Sequence, residues 1–286
     1  LAFHLGRRFD DQALPEHYPY ALQQVTFRID HATGGLTPQG TVASTHAPTF
    51  LAPDRTGRYV LAAYYQGGYA AVHPLGADGA VGAPPCDTLA TAMGAHAIQT
   101  DPSNQFAFVP HIARQNDNVL EPPKNIPGPN FIAQFRFDPA SGRLSPNAPF
   151  KLEPREPIGP RHFCFHPMLD LAYFSDEQGC SVTAYRVDRA SGTLSAVETI
   201  PSLPEGVTVR NTCSQIYLTP WARFLYVGNR GHNSIAIFAP RGTATSPIEK
   251  SSARTQRSNS CKGGSKRIIS SPAAAAGTEP STTRCH

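Results

Sequence analysis

The sequence predicts an all-β chain, a β-propeller of four-stranded antiparallel blades, from three observations. A turn phrase recurs at about fifty residues, a hairpin phrase follows each copy, and four short strands fit each unit. The turn phrase is a proline turn, a polar pair, an aromatic or apolar run and a second strand. Its copies are LAPDRTGRYVLAAYY from Leu51, QTDPSNQFAFVPH from Gln99, CFHPMLDLAYFSDE from Cys164 and YLTPWARFLYVGNRGH from Tyr217. Aligned on Pro53, Pro102, Pro167 and Pro220, they stand 49, 65 and 53 residues apart, the long interval holding a Pro- and Asn-rich insertion near residues 112 to 130. A β-sandwich would not repeat at this spacing.

The hairpin phrase is an apolar strand ending in aspartate, a small turn with glycine, then leucine: FRIDHATGGL, FRFDPASGRL and YRVDRASGTL. Asp30, Asp138 and Asp188 with Gly34, Gly142 and Gly192 supply turn chemistry, and LGADGAVG near Asp78 is a degenerate copy. The strands predicted are an outer pair from Val25 to Ser44, three complete blades to about Leu203, and three strands from Cys213 to Ala239. That makes seventeen strands and about five blades wholly or partly present. Residues 25–240 are therefore expected to form an incomplete propeller, preceded by a poorly defined segment, 1–24.

Beyond Pro240 the composition changes. Residues 241–286 hold fifteen Ser or Thr in 46 positions and no aromatic residue. Such a segment is expected to be a disordered or frame-shifted tail rather than a blade. The missing methionine at Leu1 likewise suits a processed or incomplete polypeptide.

With 40% hydrophobic and 16% charged residues the chain can bury a sizeable core. No run reaches the roughly 18 apolar residues of a membrane span, and the first residues lack a secretory apolar stretch, so a cytoplasmic protein without a membrane partner is expected. The net charge of +4 is no nucleic-acid signature, because residues 241–286 carry +6 and residues 1–240 carry −2. The six cysteines show no CxxC or zinc-like spacing and read as reduced thiols.

In a four-stranded blade the start of the inner strand and the end of the second strand share one rim, beside the central channel. His96, in GAHA, and Arg161 with His162, in GPRH, begin inner strands; Glu177, Arg230 and His111 end second strands. These residues would meet at the channel mouth as an anion site with an acid–base pair. Singly, each has a structural reading: Arg161 and Arg230 can bridge blades by pairing with Glu177 or Asp176. His166 lies by the opposite turn and reads as structural, His46 and His111 have weaker claims to the rim, and His31 sits in an exposed hairpin. No GxSxG, GxxxxGK or HExxH is present, which removes the main supports for serine-hydrolase, nucleotide and zinc-protease chemistry. Lactone hydrolysis needs a base for water, a donor for the oxyanion and cations for an anionic substituent, and the rim holds all three.

The phrases GAHAIQTDPSNQFAFVPHI, NFIAQFRFDPASGRL, GPRHFCFHP, SDEQGCSVTAYRVD and TPWARFLYVGNRGHNSIAIF carry a resemblance over residues 25–239. The chain resembles the seven-bladed β-propeller lactonases of the bacterial 6-phosphogluconolactonase and carboxymuconate cyclase type. One departure is that Asp176 precedes Glu177 where the family has asparagine. The resemblance implies a substrate site lined by His96, Arg161, Glu177 and Arg230, with no metal or organic cofactor. Family membership does not fix the substrate; the leading expectation is opening of 6-phosphogluconolactone to 6-phosphogluconate, in the pentose phosphate pathway, with Glu177 or His96 as base, Arg161 and Arg230 holding the anion and His162 beside them at the rim binding substrate. The rival readings are a carboxymuconate-type cycloisomerase, a noncatalytic propeller platform, and a calcium-dependent gluconolactonase for which no cluster of acids and amides is seen.

Overall fold

The structure, a computed structural model, describes residues 2–6, 22–241 and 248–250. They form nineteen strands and no helix, in five antiparallel sheets of consecutive strands. The first sheet holds β1 (Ala2–Gly6), β2 (Leu22–Ile29) and β3 (Leu36–Ser44). The second holds β4 (Phe50–Pro53), β5 (Tyr59–Tyr64), β6 (Tyr69–Pro74) and β7 (Asp87–Ala90). Next come β8 (Gln99–Thr100), β9 (Phe106–Pro110), β10 (Ile132–Asp138) and β11 (Arg143–Leu152). The fourth comprises β12 (Pro160–Phe165), β13 (Leu171–Asp176), β14 (Ser181–Val187) and β15 (Leu194–Pro201). The fifth comprises β16 (Thr212–Leu218), β17 (Leu225–Arg230), β18 (Ser234–Pro240) and β19 (Ile248–Lys250).

Two strands were not expected. β1 pairs with β2 inside the segment assigned to a poorly defined N-terminus, and β19 pairs with β18 beyond Pro240. The Ser- and Thr-rich composition hid β19 because a three-residue strand needs only one apolar anchor, here Ile248, buried against the last blade. Residues 251–286, with Cys261 and Cys285, lie outside the described residues. Cys86, Cys164, Cys180 and Cys213 are free thiols.

The turn phrase has one hydrogen-bonding scheme. Asp54, Asp101, His166 and Thr219 each donate a backbone N–H to the carbonyl five residues on, at 2.8–2.9 Å. Each also offers a side-chain acceptor to the N–H groups of the turn: Asp54 to Arg58 and Tyr59, Asp101 to Gln105 and Phe106, Thr219 to Arg223 and Phe224. His166 Nδ1 does the same for Met168 and Leu169, which confirms a structural role. Buried turn N–H groups require such partners. The scheme corrects the alignment, because Pro53 precedes the acceptor whereas Pro102, Pro167 and Pro220 follow it. Asp54 to Asp101 is 47 residues.

The hairpin phrase also repeats in three dimensions. Gly34, Gly142 and Gly192 donate to the carbonyls of Asp30, Asp138 and Asp188 at 2.7–2.8 Å. They do so with φ of +73°, +71° and +68°, the left-handed conformation that favours glycine.

The core is divided among the faces between sheets. Leu61, Val72, Val109 and Phe135 join the second and third sheets; Phe108, Phe163, Phe174 and Tyr185 join the third and fourth; Tyr173, Val182, Val227 and Phe238 join the fourth and fifth. Inner strands meet at the axis, where Gln99 Nε2 donates to the Phe163 carbonyl at 2.8 Å and the Phe50 and His162 rings lie 5.2 Å apart.

Candidate active site

Counting from the turn acceptors places the ends of the second strands in register. Tyr64, His111, Asp176 and Asn229 are equivalent, and so are Tyr65, Ile112, Glu177 and Arg230. A one-residue step along a strand reverses the face a side chain points to. The first set turns into the blades. His111 is fully buried, stacked on Phe131 at 4.2 Å, with Nδ1 at 3.3 Å from the Phe131 carbonyl. Its expected place at the rim is thereby corrected. Asp176 is likewise fully buried, accepting hydrogen bonds from Ser181 and Thr183 at 2.7 Å each. Burial pushes its carboxyl up to about 7, against the two hydroxyl donors.

Of the second set, Tyr65, Glu177 and Arg230 face the channel mouth, while Ile112 is buried. Glu177 follows β13, fixed by a bond from its N–H to the Gly159 carbonyl at 2.7 Å and one from the Cys213 N–H to its own carbonyl at 2.9 Å. Its carboxylate accepts a hydrogen bond from Arg230 Nη2, lies 3.3 Å from Arg161 Nε and lies 3.9 Å from His96 Nε2. Arg230 also donates to the Cys213 carbonyl at 3.2 Å. Gly231 follows it at φ +116°, where a Cβ would fall 2.1 Å from the Arg210 carbonyl oxygen. Only glycine lets β17 end there.

Arg161 reaches the site through a β-bulge. Pro160 pairs with Asp176 and His162 with Ser175, leaving Arg161 as the extra residue, which swings toward Glu177 instead of into the ladder. His96 enters on the loop before β8, its N–H bonded to the Pro110 carbonyl at 3.0 Å. The His96 and His162 rings meet edge-on at 5.1 Å, and Tyr65 packs edge-on to His96 at 5.8 Å. Burial first, then the Arg161 guanidinium, holds His96 well below the ordinary imidazole value and His162 down to about 3. Both shifts favour the neutral imidazole.

The structure thus brings together all five residues expected at the site: His96, Arg161, His162, Glu177 and Arg230. The bridging pairs read as structural alternatives exist too, but on Glu177 rather than Asp176. His46 packs on Tyr69 and His232 bonds to Ser234, outside this cluster. Sequence reasoning missed Tyr65, which the shared register with Glu177 could have revealed. It also treated the 112–130 insertion as an interruption, although it departs from the rim beside His111. Arg114, Asn116, Asp117 and Lys124 of that insertion line, with His96, Glu177 and Arg230, a cavity of about 330 Å³.

Among the described residues, the buried His96 Nδ1 and Arg230 Nε have no hydrogen-bond partner, while Arg161 Nε has only its ion pair with Glu177. Groups of this kind at the edge of a cavity are ready to engage a polar ligand. Among the described residues no cluster of three or more His, Cys, Asp or Glu side chains is placed to hold a metal ion.

A sequence model of the family described as Lactonase, 7-bladed beta-propeller, matches residues 20–257. The chain belongs to this family. Among its relatives, the 6-phosphogluconolactonase of Pectobacterium carotovorum subsp. carotovorum (strain PC1) is 32% identical over 214 residues, 75% of this chain and 59% of that protein. The 6-phosphogluconolactonase of Pectobacterium atrosepticum is 30% identical over 215 residues, again 75% and 59%. The periplasmic gluconolactonase of Pseudomonas aeruginosa shares the fold at a TM-score of 0.68 and 23% identity, covering 85% of this chain and 66% of that one. This lactonase propeller chain therefore spans about three fifths of the length of the curated relatives it matches.

Proposed function

We propose that this protein hydrolyses a small anionic sugar lactone, 6-phosphogluconolactone in the first instance, as the names of its relatives suggest. The observation that carries the reading is Glu177 held between Arg161 and Arg230 beside His96, at the mouth of a cavity on a rigid scaffold. Water adds to the lactone carbonyl carbon while Glu177 or His96 takes its proton. The negative charge that gathers on the carbonyl oxygen is met by guanidinium N–H groups already in place. Collapse breaks the bond to the ring oxygen, which takes the proton, and an open-chain acid with a free hydroxyl leaves. Arg161 and Arg230 suit carboxylate and phosphate alike, and an incoming anion competes with Glu177 for them.

A cytoplasmic site of action belongs to the same proposal; among the described residues no helix is long and apolar enough to cross a membrane. The test is acid release from 6-phosphogluconolactone at constant pH, measured beside muconate lactonisation in one preparation. Lactone opening far above the spontaneous rate supports the proposal. Lactonisation without lactone opening replaces it with the cycloisomerase, and neither activity favours a noncatalytic platform.

A further inference from the structure

We infer that the 112–130 insertion is a second wall of the site, and that Arg114 on it selects lactones bearing a remote dianionic group. This inference rests on the lactonase reading.

The wall is fastened across several blades. The Asn116 N–H donates to Tyr65 Oη at 2.9 Å and Gln66 Nε2 to Asn116 Oδ1 at 3.3 Å, tying it to the end of β5. The Ala113 N–H donates to Gln178 Oε1 at 3.0 Å, tying it to the residue after Glu177. Arg210, just before β16, donates to Asp117 Oδ1 and to the Glu121 carbonyl. Gly159 marks how closely the wall is seated: a Cβ there would lie 2.0 Å from Gln178 Oε1 and 2.7 Å from the Ala113 nitrogen.

Charge on this wall is unevenly committed. The Asp117 side chain, 3% exposed, is already held by Arg210, and Arg114 Nη1 stands off at 3.7 Å with 42% of its side chain exposed. Lys124 pairs with Glu121 at 3.0 Å, but both are about half exposed, and such surface pairs exchange readily for a better anion. On the rim, Arg161 and Arg230 share the single charge of Glu177. In all, five cationic side chains (Arg114, Lys124, Arg161, Arg210 and Arg230) face the three carboxylates of Asp117, Glu121 and Glu177. The wall carries a surplus of one positive charge and the rim another, so a phosphoryl dianion on the wall meets a net positive field to which both contribute. Because Arg114, Lys124, Glu177 and Arg230 line one cavity, a single sugar can place its lactone against the rim and its phosphoryl group against the wall. Arg161 and Arg230 then serve the reacting carbonyl, and Arg114 serves discrimination.

The test compares hydrolysis of phosphorylated and unphosphorylated gluconolactone by the wild type and Arg114→Gln, with binding of inorganic phosphate titrated by calorimetry. The ratio of kcat/KM, phosphorylated over unphosphorylated, is expected to fall about tenfold or more, carried by KM, the size of one lost charge-assisted hydrogen bond. Arg114→Lys should restore part of the ratio. An unchanged ratio in Arg114→Gln, or an equal loss on both substrates, overturns the inference while leaving lactone hydrolysis standing. If the wild type opens neither lactone, the proposed function fails, and phosphate titration alone decides: binding that Arg114→Gln weakens supports the anion subsite, and binding it leaves intact refutes it.

Discussion

Glu177 and Arg230 stand eleven residues beyond the acceptors of equivalent turns, His166 and Thr219, so their ion pair joins the same position in successive blades. The repeat has placed a carboxylate in one copy and a guanidinium in the next, and Tyr65 in an earlier one. Substitution at this position should therefore separate roles that the shared backbone makes geometrically alike.

Glu177→Gln keeps the shape and removes the proton acceptor, so kcat should fall on the order of a hundredfold or more while substrate still binds. Arg161→Ala and Arg230→Ala should raise KM and lower kcat together, with phosphate a competitive inhibitor of the wild type. Steady-state kinetics check both. If Glu177→Gln is nearly silent and His96→Asn severe, the imidazole is the base and Glu177 orients it. If all four are silent, the site lies elsewhere.

The buried carboxyl of Asp176 makes a second prediction. Its folded value, raised to about 7, exceeds the ordinary carboxyl value of an unfolded chain, so the folded state holds a proton that the unfolded state has released. Its stabilising effect is full at acid pH and is lost as pH rises toward about 7. Asp176→Asn should be more stable than the wild type at pH 8, with the difference shrinking on acidification. His162, at about 3, and His111, at about 4, act in the opposite direction, costing stability as pH falls below the ordinary imidazole value. Denaturant midpoints from pH 4 to 8 for wild type and Asp176→Asn would show both; a difference that does not vary with pH would refute the assignment to Asp176.

His166→Ala removes the turn acceptor and should cost about 1–2 kcal/mol, the range for a lost cap. His166→Asp installs the acceptor used at Asp54 and Asp101 and should recover most of it. Chemical denaturation measures the difference. A change in kcat of either folded variant would mean that His166 touches the reaction after all.

Phe174 is fully buried and stacked on Phe163 at 4.6 Å, between the third and fourth sheets. Phe174→Ala should cost about 3–5 kcal/mol in urea unfolding. Ile248→Ala should cost about 2–5 kcal/mol, since Ile248 fills the last interface from beyond Pro240. A negligible cost at Ile248 would return the whole of residues 241–286 to the expected tail.

The blades were legible because their turns use residues whose chemistry is local: Asp101 closes its turn with its own side chain, and Gly142 adopts a backbone that other residues resist. The clustering of His96, Arg161, His162, Glu177 and Arg230 was legible because the rim follows from strand order. His111 was misplaced by one position because it was read as a strand end without counting from its turn: ten residues beyond Asp101 it falls level with Asp176, whereas the proline marker errs only at Pro53 and so hid Tyr65. Arg114 and Asp117 escaped for a different reason. An insertion has no counterpart in the other repeats, so its place over the cavity depends on distant partners, Tyr65 and Arg210, that no periodicity connects to it.

The bulge that frees Arg161 has a companion at the start of the next inner strand, where the ladder slips between Cys213 and Ile216. Both irregularities sit at the mouth, and below them the pairing with β13 and β17 runs true. Each of these two inner strands is therefore a fixed shaft with an adjustable tip. Gaining or losing one residue at such a tip re-aims a functional group without disturbing the hydrophobic packing further down, so a lineage built on this frame can retune its chemistry by small insertions as readily as by substitution.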